Sequence, residues 1–330
     1  MRPSAILRTL SLRIPSRLSA SPAVAPLPVP TSFDQQITTE LDALQSERGS
    51  DADYTSANWL LQALDASTNS QKIALESFAN VMCRDSDRKA VDDYLEDSVE
   101  LLDSCNGLLE KMEVIHKYVD SLRRVLHLLD GRFEPNPIAL ARASDVLDSC
   151  EAIEKRCSEM GKCGSGLRKL SLKLAQGTSS CATKVGWHES ELSLILSGSK
   201  AVALTACGVL GIALSFKSKR GFPTMQSRPA TSWSSSLQEL QKGLKEQTEK
   251  QKRSGSVMMS ELRGAVMAAS GLRDQIKSRK KDDNGVNVEE LKRRCEELEE
   301  GIKPMEGRVK ELYRHLISIR VALLGILSRA

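Results

Sequence analysis

Two segments of the chain repeat apolar residues at alternating spacings of three and four. They cover residues 91–129 and 288–326, and in the first only Ser98 interrupts the apolar series. Such spacing averages about 3.5 residues, so the apolar side chains form one continuous seam along a helix, which must bury against another helix. At 1.5 Å per residue, each seam extends over about 58 Å. We therefore predict an all-α fold, an elongated antiparallel helical bundle with long heptad-patterned helices.

The central members of the two seams are the residues that we expect to pack between helices. In the first seam they are Leu101, Leu108, Ile115 and Leu122. In the second seam they are Leu298, Val309, Leu312, Leu316, Ile319 and Leu323. Pro304 lies inside the second seam, where it cannot donate to the carbonyl of Glu300, so a kink is predicted there.

Residues 1–33 differ in composition from the rest of the chain. They contain four arginines and no acidic residue, and these arginines account for the whole formal charge of +4. An Arg-, Ser- and Pro-rich segment without acids is typical of an organellar transit peptide, and equally of a disordered basic tail. The remainder of the chain is electrically balanced, which argues against a nucleic-acid-binding face.

One segment, residues 201–216, carries no charge over 16 residues. Its larger apolar members and its first residue form the candidate membrane segment: Ala201, Val202, Leu204, Val209, Leu210, Ile212, Leu214 and Phe216. As a helix it is about 24 Å long, short of the roughly 30 Å hydrocarbon core of a bilayer. Adding residues 192–199 supplies the length but places Lys200 near the middle.

The flanks of this segment decide between a membrane helix and a buried bundle helix. Lys217, Lys219 and Arg220 follow it directly, and a Pro- and Ser-rich stretch comes next. A basic cluster beside an apolar helix is typical of a membrane boundary, so we predict membrane association, with a buried bundle helix as the alternative. The chain then divides into a helical region at 34–200, the apolar helix, a linker at 217–233 and a second helical region at 234–330.

The sequence contains no recognisable catalytic or metal-binding motif. The spacings between Cys150, Cys157, Cys163 and Cys181 lack the close pairs of zinc sites, so we expect core thiols that stay reduced. The glycine-rich segment 161–166 lacks the lysine-serine ending of a phosphate-binding loop. The four histidines are dispersed. We therefore predict no enzyme, no cofactor and no metal.

Three segments resemble the plant BYPASS family, the BPS-type proteins with their ROH-like relatives. They are VDDYLEDSVELLDSCNGL at 91–108, SWSSSLQELQKGLKEQTEKQKRSGSVMMSEL at 232–262 and GIKPMEGRVKELYRHLISIRVALLGIL at 301–327. The resemblance covers most of residues 34–330. It implies a helical, non-enzymatic plant protein that restrains a root-derived mobile signal in root and shoot development, and it carries over no active-site residue.

The resemblance also implies partners and a location. Some relatives are associated with vesicle-tethering components, and some are membrane or plastid proteins. The leading hypothesis is a membrane-associated adaptor, at an endomembrane or a plastid. The alternative is a soluble, cytoplasmic helical adaptor that binds a vesicle-tethering or trafficking complex.

Overall fold

The computed structural model describes residues 32–46, 53–78, 81, 84–129, 136–159, 163–180, 190–216, 231–253, 257–278 and 288–328. Within these ranges the regular secondary structure is helical throughout, which confirms the all-α prediction. The helices are α1 (Ser32–Ser46), α2 (Ala57–Ser77), α3 (Arg88–Leu129), α4 (Pro137–Glu159), α5 (Cys163–Ser180), α6 (Glu191–Ala213), α7 (Ser232–Arg253), α8 (Ser260–Ser278) and α9 (Val288–Leu327). Nearly all of the predicted N-terminal tail and linker lies outside the described residues.

The two seam helices, α3 and α9, pack against each other in opposite directions. His116 of α3 pairs with Glu306 of α9 at 3.5 Å, and further along Arg123 pairs with Glu299. At the other end of the contact, Arg320 donates to the carbonyl of Leu95. Residue numbers rise along α3 as they fall along α9, so the predicted antiparallel arrangement is confirmed for this pair.

Helices α2 and α6 complete a ring of four. Helix α2 lies on α9, where Lys72 pairs with Glu311 at 3.0 Å, and α6 packs on both α2 and α3. The order around the ring is therefore α3, α9, α2, α6, with α6 diagonal to α9. A closed ring of this kind buries an apolar stripe of each helix against two neighbours.

The other helices form an outer layer. Helices α4 and α5 pack on α3, and α8 packs on both α4 and α9. Helices α1 and α7 pack on each other, and both also contact α6. Most of a helix's stability in a protein comes from packing against its neighbours. Contacts within the outer layer therefore stabilise helices that have only a moderate apolar face, such as α4 and α8.

The seam residues lie in the interior of the ring. All ten of those named above are at most 1% exposed. Ser98 is also buried, and its hydroxyl accepts a hydrogen bond from Arg320, so the polar member of the first seam is satisfied between α3 and α9. Helix α9 continues through Pro304, which faces solvent, and the predicted kink stays a prediction.

Polar side chains cap the helices that enter the ring. The hydroxyl of Ser56 accepts from the backbone N–H of Trp59 at the start of α2, and Ser190 does the same for Ser193 at the start of α6. Each cap satisfies one of the backbone donors that a helix leaves unpaired at its first turn. The apolar helix therefore begins ten residues before 201 and ends at Ala213, and Leu214 and Phe216 follow its last turn.

Candidate functional site

A second buried face of α3 is directed at the apolar helix and carries polar groups. It consists of residues spaced by seven, all buried: Asp97, Ser104, Lys111, Tyr118 and Val125. A spacing of seven keeps residues on one side of a helix, so these side chains form a line beside the main seam. Two of them carry full charges, and both contact α6. We call this line the polar seam.

The first charged contact joins the middle of α6 to α3. Lys200 Nζ lies 2.6 Å from Asp97 Oδ2, and the two residues are 7% and 5% exposed. Lys173 of α5 reaches the other oxygen of Asp97 at 2.9 Å. A buried charge is tolerated only where it is paired and hydrogen-bonded, and here both oxygens of the carboxylate are engaged. The pair therefore holds α6 at one register on α3.

Lys173 lies on the solvent side of the Lys200–Asp97 pair. Its ammonium also contacts Glu96 at 2.8 Å, and Glu96, followed by Asp97, raises the pKa of Lys173 above its ordinary value. The lysine is thus held in its charged form over the whole physiological range. Because it is partly exposed, it can bridge the buried carboxylate and the solvent.

The second charged contact lies at the end of α6. Lys111 donates to the carbonyl of Gly211 and, at 2.8 Å, to the hydroxyl of Ser215. The last carbonyls of a helix lack partners within the helix and carry partial negative charge, so an ammonium group at this point both caps them and favours the dipole. Helix α6 is therefore attached to α3 at its middle and at its C-terminal end.

Uncharged polar groups attach α6 to the helices on its other sides. The hydroxyl of Tyr94 donates to Gln71 of α2 at 3.2 Å, and the amide of Gln71 donates to the carbonyl of Ser199 at 2.8 Å. On the α7 side, Gln241 donates to Thr205 at 2.9 Å. Burial raises the pKa of Tyr94 well above its ordinary value, so the phenol remains a donor. Polar atoms of α6 thus have partners on α2, α3 and α7.

The candidate membrane residues all lie inside this arrangement. Each of the eight, from Ala201 to Phe216, is buried. Among the described helices, α6 alone is long and apolar enough to cross a bilayer, yet 89% of its apolar window is buried within the protein. The core helix of a water-soluble protein has the same length and composition. Composition therefore fits a membrane helix and a core helix equally well. The contacts of Lys200 are what distinguish the two.

The described residues contain no group of three or more His, Cys, Asp or Glu side chains placed to hold a metal ion. The cysteines of the described interior, including Cys150 and Cys157, are buried as free thiols. A groove of about 160 Å³ lies between α4 and α8, where Arg273 pairs with Glu151 at 2.8 Å. Arg273 and Glu151 therefore satisfy each other, and Glu154 accepts a hydrogen bond from Tyr118 at 3.2 Å.

The buried thiols give a testable consequence. Burial raises the pKa of Cys150 to about 11 and that of Cys295 to about 12. Since only the thiolate reacts, we expect both to be alkylated by N-ethylmaleimide at pH 8 at least about 100-fold more slowly than a free thiol. Mass-spectrometric labelling in buffer and in urea checks this, because unfolding should restore the ordinary rate. Fast labelling of both residues in buffer would contradict their burial.

The same pKa shifts predict how stability changes in alkali. A thiol whose pKa is raised on folding stabilises the native state fully below its unfolded pKa near 9, and this contribution is lost as the pH rises towards 11 or 12. The urea midpoint should therefore fall over this interval. Cys295→Ala should make that fall shallower.

Sequence reasoning missed the two charged residues of the polar seam. The available signal was the spacing of seven that links Asp97, Ser104 and Lys111, each one position before a member of the main seam. Polar residues at such positions are ordinarily interpreted as a solvated face. Only the presence of α6 beside α3 makes them interior.

Comparison with known proteins identifies the family. The family model described as Protein BPS1 matches residues 60–326. The chain is 26% identical over 232 residues to UPF0496 protein 4 of Oryza sativa subsp. japonica, which covers 68% of this chain and 49% of that protein. It thus spans about half the length of this curated relative, and no solved structure matches it. The chain belongs to the BPS1 family, as its resemblance to the BYPASS proteins indicated.

Proposed function

We propose that this protein is a non-enzymatic helical adaptor that acts in plant development through contacts with other proteins, with α6 as the core helix of its bundle. The observation that carries the proposal is the ion pair between Lys200 and Asp97, which seats the apolar helix inside the ring. By analogy with BYPASS proteins, the adaptor restrains a root-derived mobile signal. Its partners on this proposal are vesicle-tethering components.

The cost of withdrawing α6 supports a buried helix. If α6 left the ring, Asp97 and Lys111 would lose their partners on it, and the apolar faces of α2 and α3 would be exposed. Lys200 would then sit near the middle of a bilayer-spanning segment, at a cost of about 2.5–3.5 kcal/mol on insertion scales. The lost ion-pair partners, the exposed apolar faces and the cost of placing Lys200 in the bilayer all favour a buried α6. They therefore favour a soluble adaptor over the membrane-spanning one that the flanking sequence predicts.

A membrane-associated adaptor is the second candidate. The length and apolar composition of α6 favour it, since they meet the requirement for a single bilayer crossing. In this state α6 would exchange its contacts with α2 and α3 for contacts with lipid. The two candidates therefore differ in where α6 lies, and lipid binding distinguishes them.

The test is purification of the full chain without detergent, followed by velocity sedimentation and flotation with anionic and neutral lipid vesicles. A core α6 predicts a monodisperse helical protein that stays with the soluble fractions. A protein that needs detergent, or that floats with both kinds of vesicle, contradicts the proposal. Lys200→Leu serves as a control because it removes the charge that opposes bilayer insertion. If α6 can leave the bundle, this variant should float with vesicles more than the wild type does. If α6 stays in the core, flotation should not change.

A further inference from the structure

A pair of cysteines lies at the contact between α3 and α6. Cys105 belongs to the main seam of α3, Cys207 lies in the second half of the apolar helix, and both are fully buried. Their thiols are free and are hydrogen-bonded to each other. The function proposed above makes no use of either thiol.

The charged contacts of the polar seam place the same two residues at one level of the bundle. Lys200 pairs with Asp97, and further along both helices Lys111 reaches the C-terminal end of α6. Helices α3 and α6 therefore run in the same direction. Cys207 follows Lys200 by seven residues, and Cys105 follows its partner carboxylate by eight. Each thiol thus lies about two helical turns beyond the ion pair, between the two lysine contacts.

The residues beside the two cysteines are small. Ala206 and Gly208 flank Cys207, and Ser104 precedes Cys105. Small side chains at a helix contact let the two backbones approach closely. A close approach is what a disulfide requires, because its Cα atoms lie only about 4.4–6.8 Å apart.

The packed bundle protects this pair from reaction. The hydrogen bond to Cys105, followed by burial, raises the pKa of Cys207 well above its ordinary value. Since the thiolate is the reactive form, the closed bundle disfavours oxidation of this thiol. Local opening of a helix exposes such groups to solvent without unfolding the whole protein. Oxidation of the pair therefore requires that α6 moves away from α3.

We propose that Cys105 and Cys207 form a disulfide when a peroxide reaches them during such an opening, and that this bond then attaches α6 covalently to α3. The proposal rests on the core position of α6 in the proposed function, and it does not depend on the adaptor role. The oxidised protein keeps α6 in the bundle, whereas the reduced protein can release it.

The oxidation proceeds in two balanced steps. In the first, one thiol sulfur attacks an oxygen of hydrogen peroxide; an S–O bond forms, the O–O bond breaks, and a water molecule leaves a sulfenic acid behind. In the second, the other thiol attacks the sulfenic sulfur as α6 returns; the S–S bond forms, the S–O bond breaks, and a second water molecule takes up the remaining thiol proton. The two thiols lose two electrons, and the peroxide is reduced to water.

The experiment treats the full chain with hydrogen peroxide in native buffer without detergent and then blocks the remaining thiols with N-ethylmaleimide in urea. After digestion without reductant, mass spectrometry should show one major link, between the peptides that contain Cys105 and Cys207, and dithiothreitol should separate them. The link closes a loop of about 100 residues and so restricts the unfolded chain. The melting temperature of the oxidised protein should therefore rise by about 5 °C or more.

Two serine variants show whether this pair is responsible. Cys207→Ser removes one thiol with little change in volume, and it should abolish both the link and the rise in melting temperature. Cys150→Ser is the matched control, because it removes a thiol that is also buried but lies on α4. It should leave the link and the rise unchanged.

Three results would overturn the proposal. The first is the formation of sulfinic or sulfonic acids at Cys207 without a link, and the second is a mixture of several cysteine pairs. The third is the absence of any link. If the unlinked protein stays with the soluble fractions, the disulfide alone is wrong; if it floats with both kinds of vesicle, the core position of α6 is wrong as well.

Discussion

Replacing Asp97 with leucine is expected to lower the free energy of unfolding by about 3–5 kcal/mol, as found when one partner of a buried ion pair is removed. Lys200 would remain in the interior and lose the carboxylate oxygen that now lies 2.6 Å from its ammonium, and leucine can neither accept a hydrogen bond nor balance the charge. Lys173 can turn to Glu96 and to solvent, so it does not share this penalty. Urea unfolding followed by circular dichroism measures the loss.

A double-mutant cycle distinguishes a charge effect from a packing effect. Lys200→Met retains the length of the lysine stem, and the double variant with Asp97→Leu removes both charges. Because well-packed apolar pairs are often as stable as buried ion pairs, we expect the double variant to be more stable than Asp97→Leu alone. Glu113→Leu, which removes an exposed pair on the same helix, should have little effect. A double variant no more stable than the single one would contradict a role for the charge.

Replacing Leu312 with aspartate is expected to unfold the bundle or to destabilise it by at least about 4 kcal/mol. Leu312 is fully buried near the middle of α9, which packs on α2, α3 and α8. A carboxylate at this position would lose its hydration without gaining a partner, and a domain is ordinarily stable by only about 5–15 kcal/mol. Thermal melts by circular dichroism check the prediction.

Val321→Asp is the matched control for Leu312→Asp, since it introduces the same charge nine residues later in the same helix. Val321 is 64% exposed, so the added carboxylate stays hydrated and the melting temperature should change little. Equal melts for the wild type and Leu312→Asp would mean that the second seam does not face the interior. A large loss for Val321→Asp would mean that this side of α9 is covered in the folded protein.

The long helices were predictable because their signal is local. Each seam repeats its three-four spacing over about 39 residues, and a pattern of that length is incompatible with strands. Ser56 and Ser190 likewise lie at positions where a hydroxyl can cap a helix from sequence-adjacent residues. The sequence predicted an antiparallel bundle, whereas the pairing of α3 with α9 is a finding of the structure.

The environment of the apolar helix was not predictable from its own residues. A helix that is apolar on all sides suits a bilayer and a protein core equally well, and α6 is such a helix. The basic residues after it favoured a membrane, whereas the structure surrounds it with α2, α3, α5, α7 and the start of the chain's first helix, α1. The groups that hold it there, Asp97 and Lys111, lie on a helix 100 or so residues earlier in the chain.

The sequence by itself determined that this protein is helical, where its two long seams lie and which side of each is apolar, because helical periodicity depends on neighbours three and four residues away. Only the tertiary structure decided which helices meet, that Lys200 has a buried carboxylate as its partner and that the polar seam is interior. Those facts depend on contacts between residues far apart in the chain, and a local pattern carries no information about which distant side chain will satisfy a buried charge.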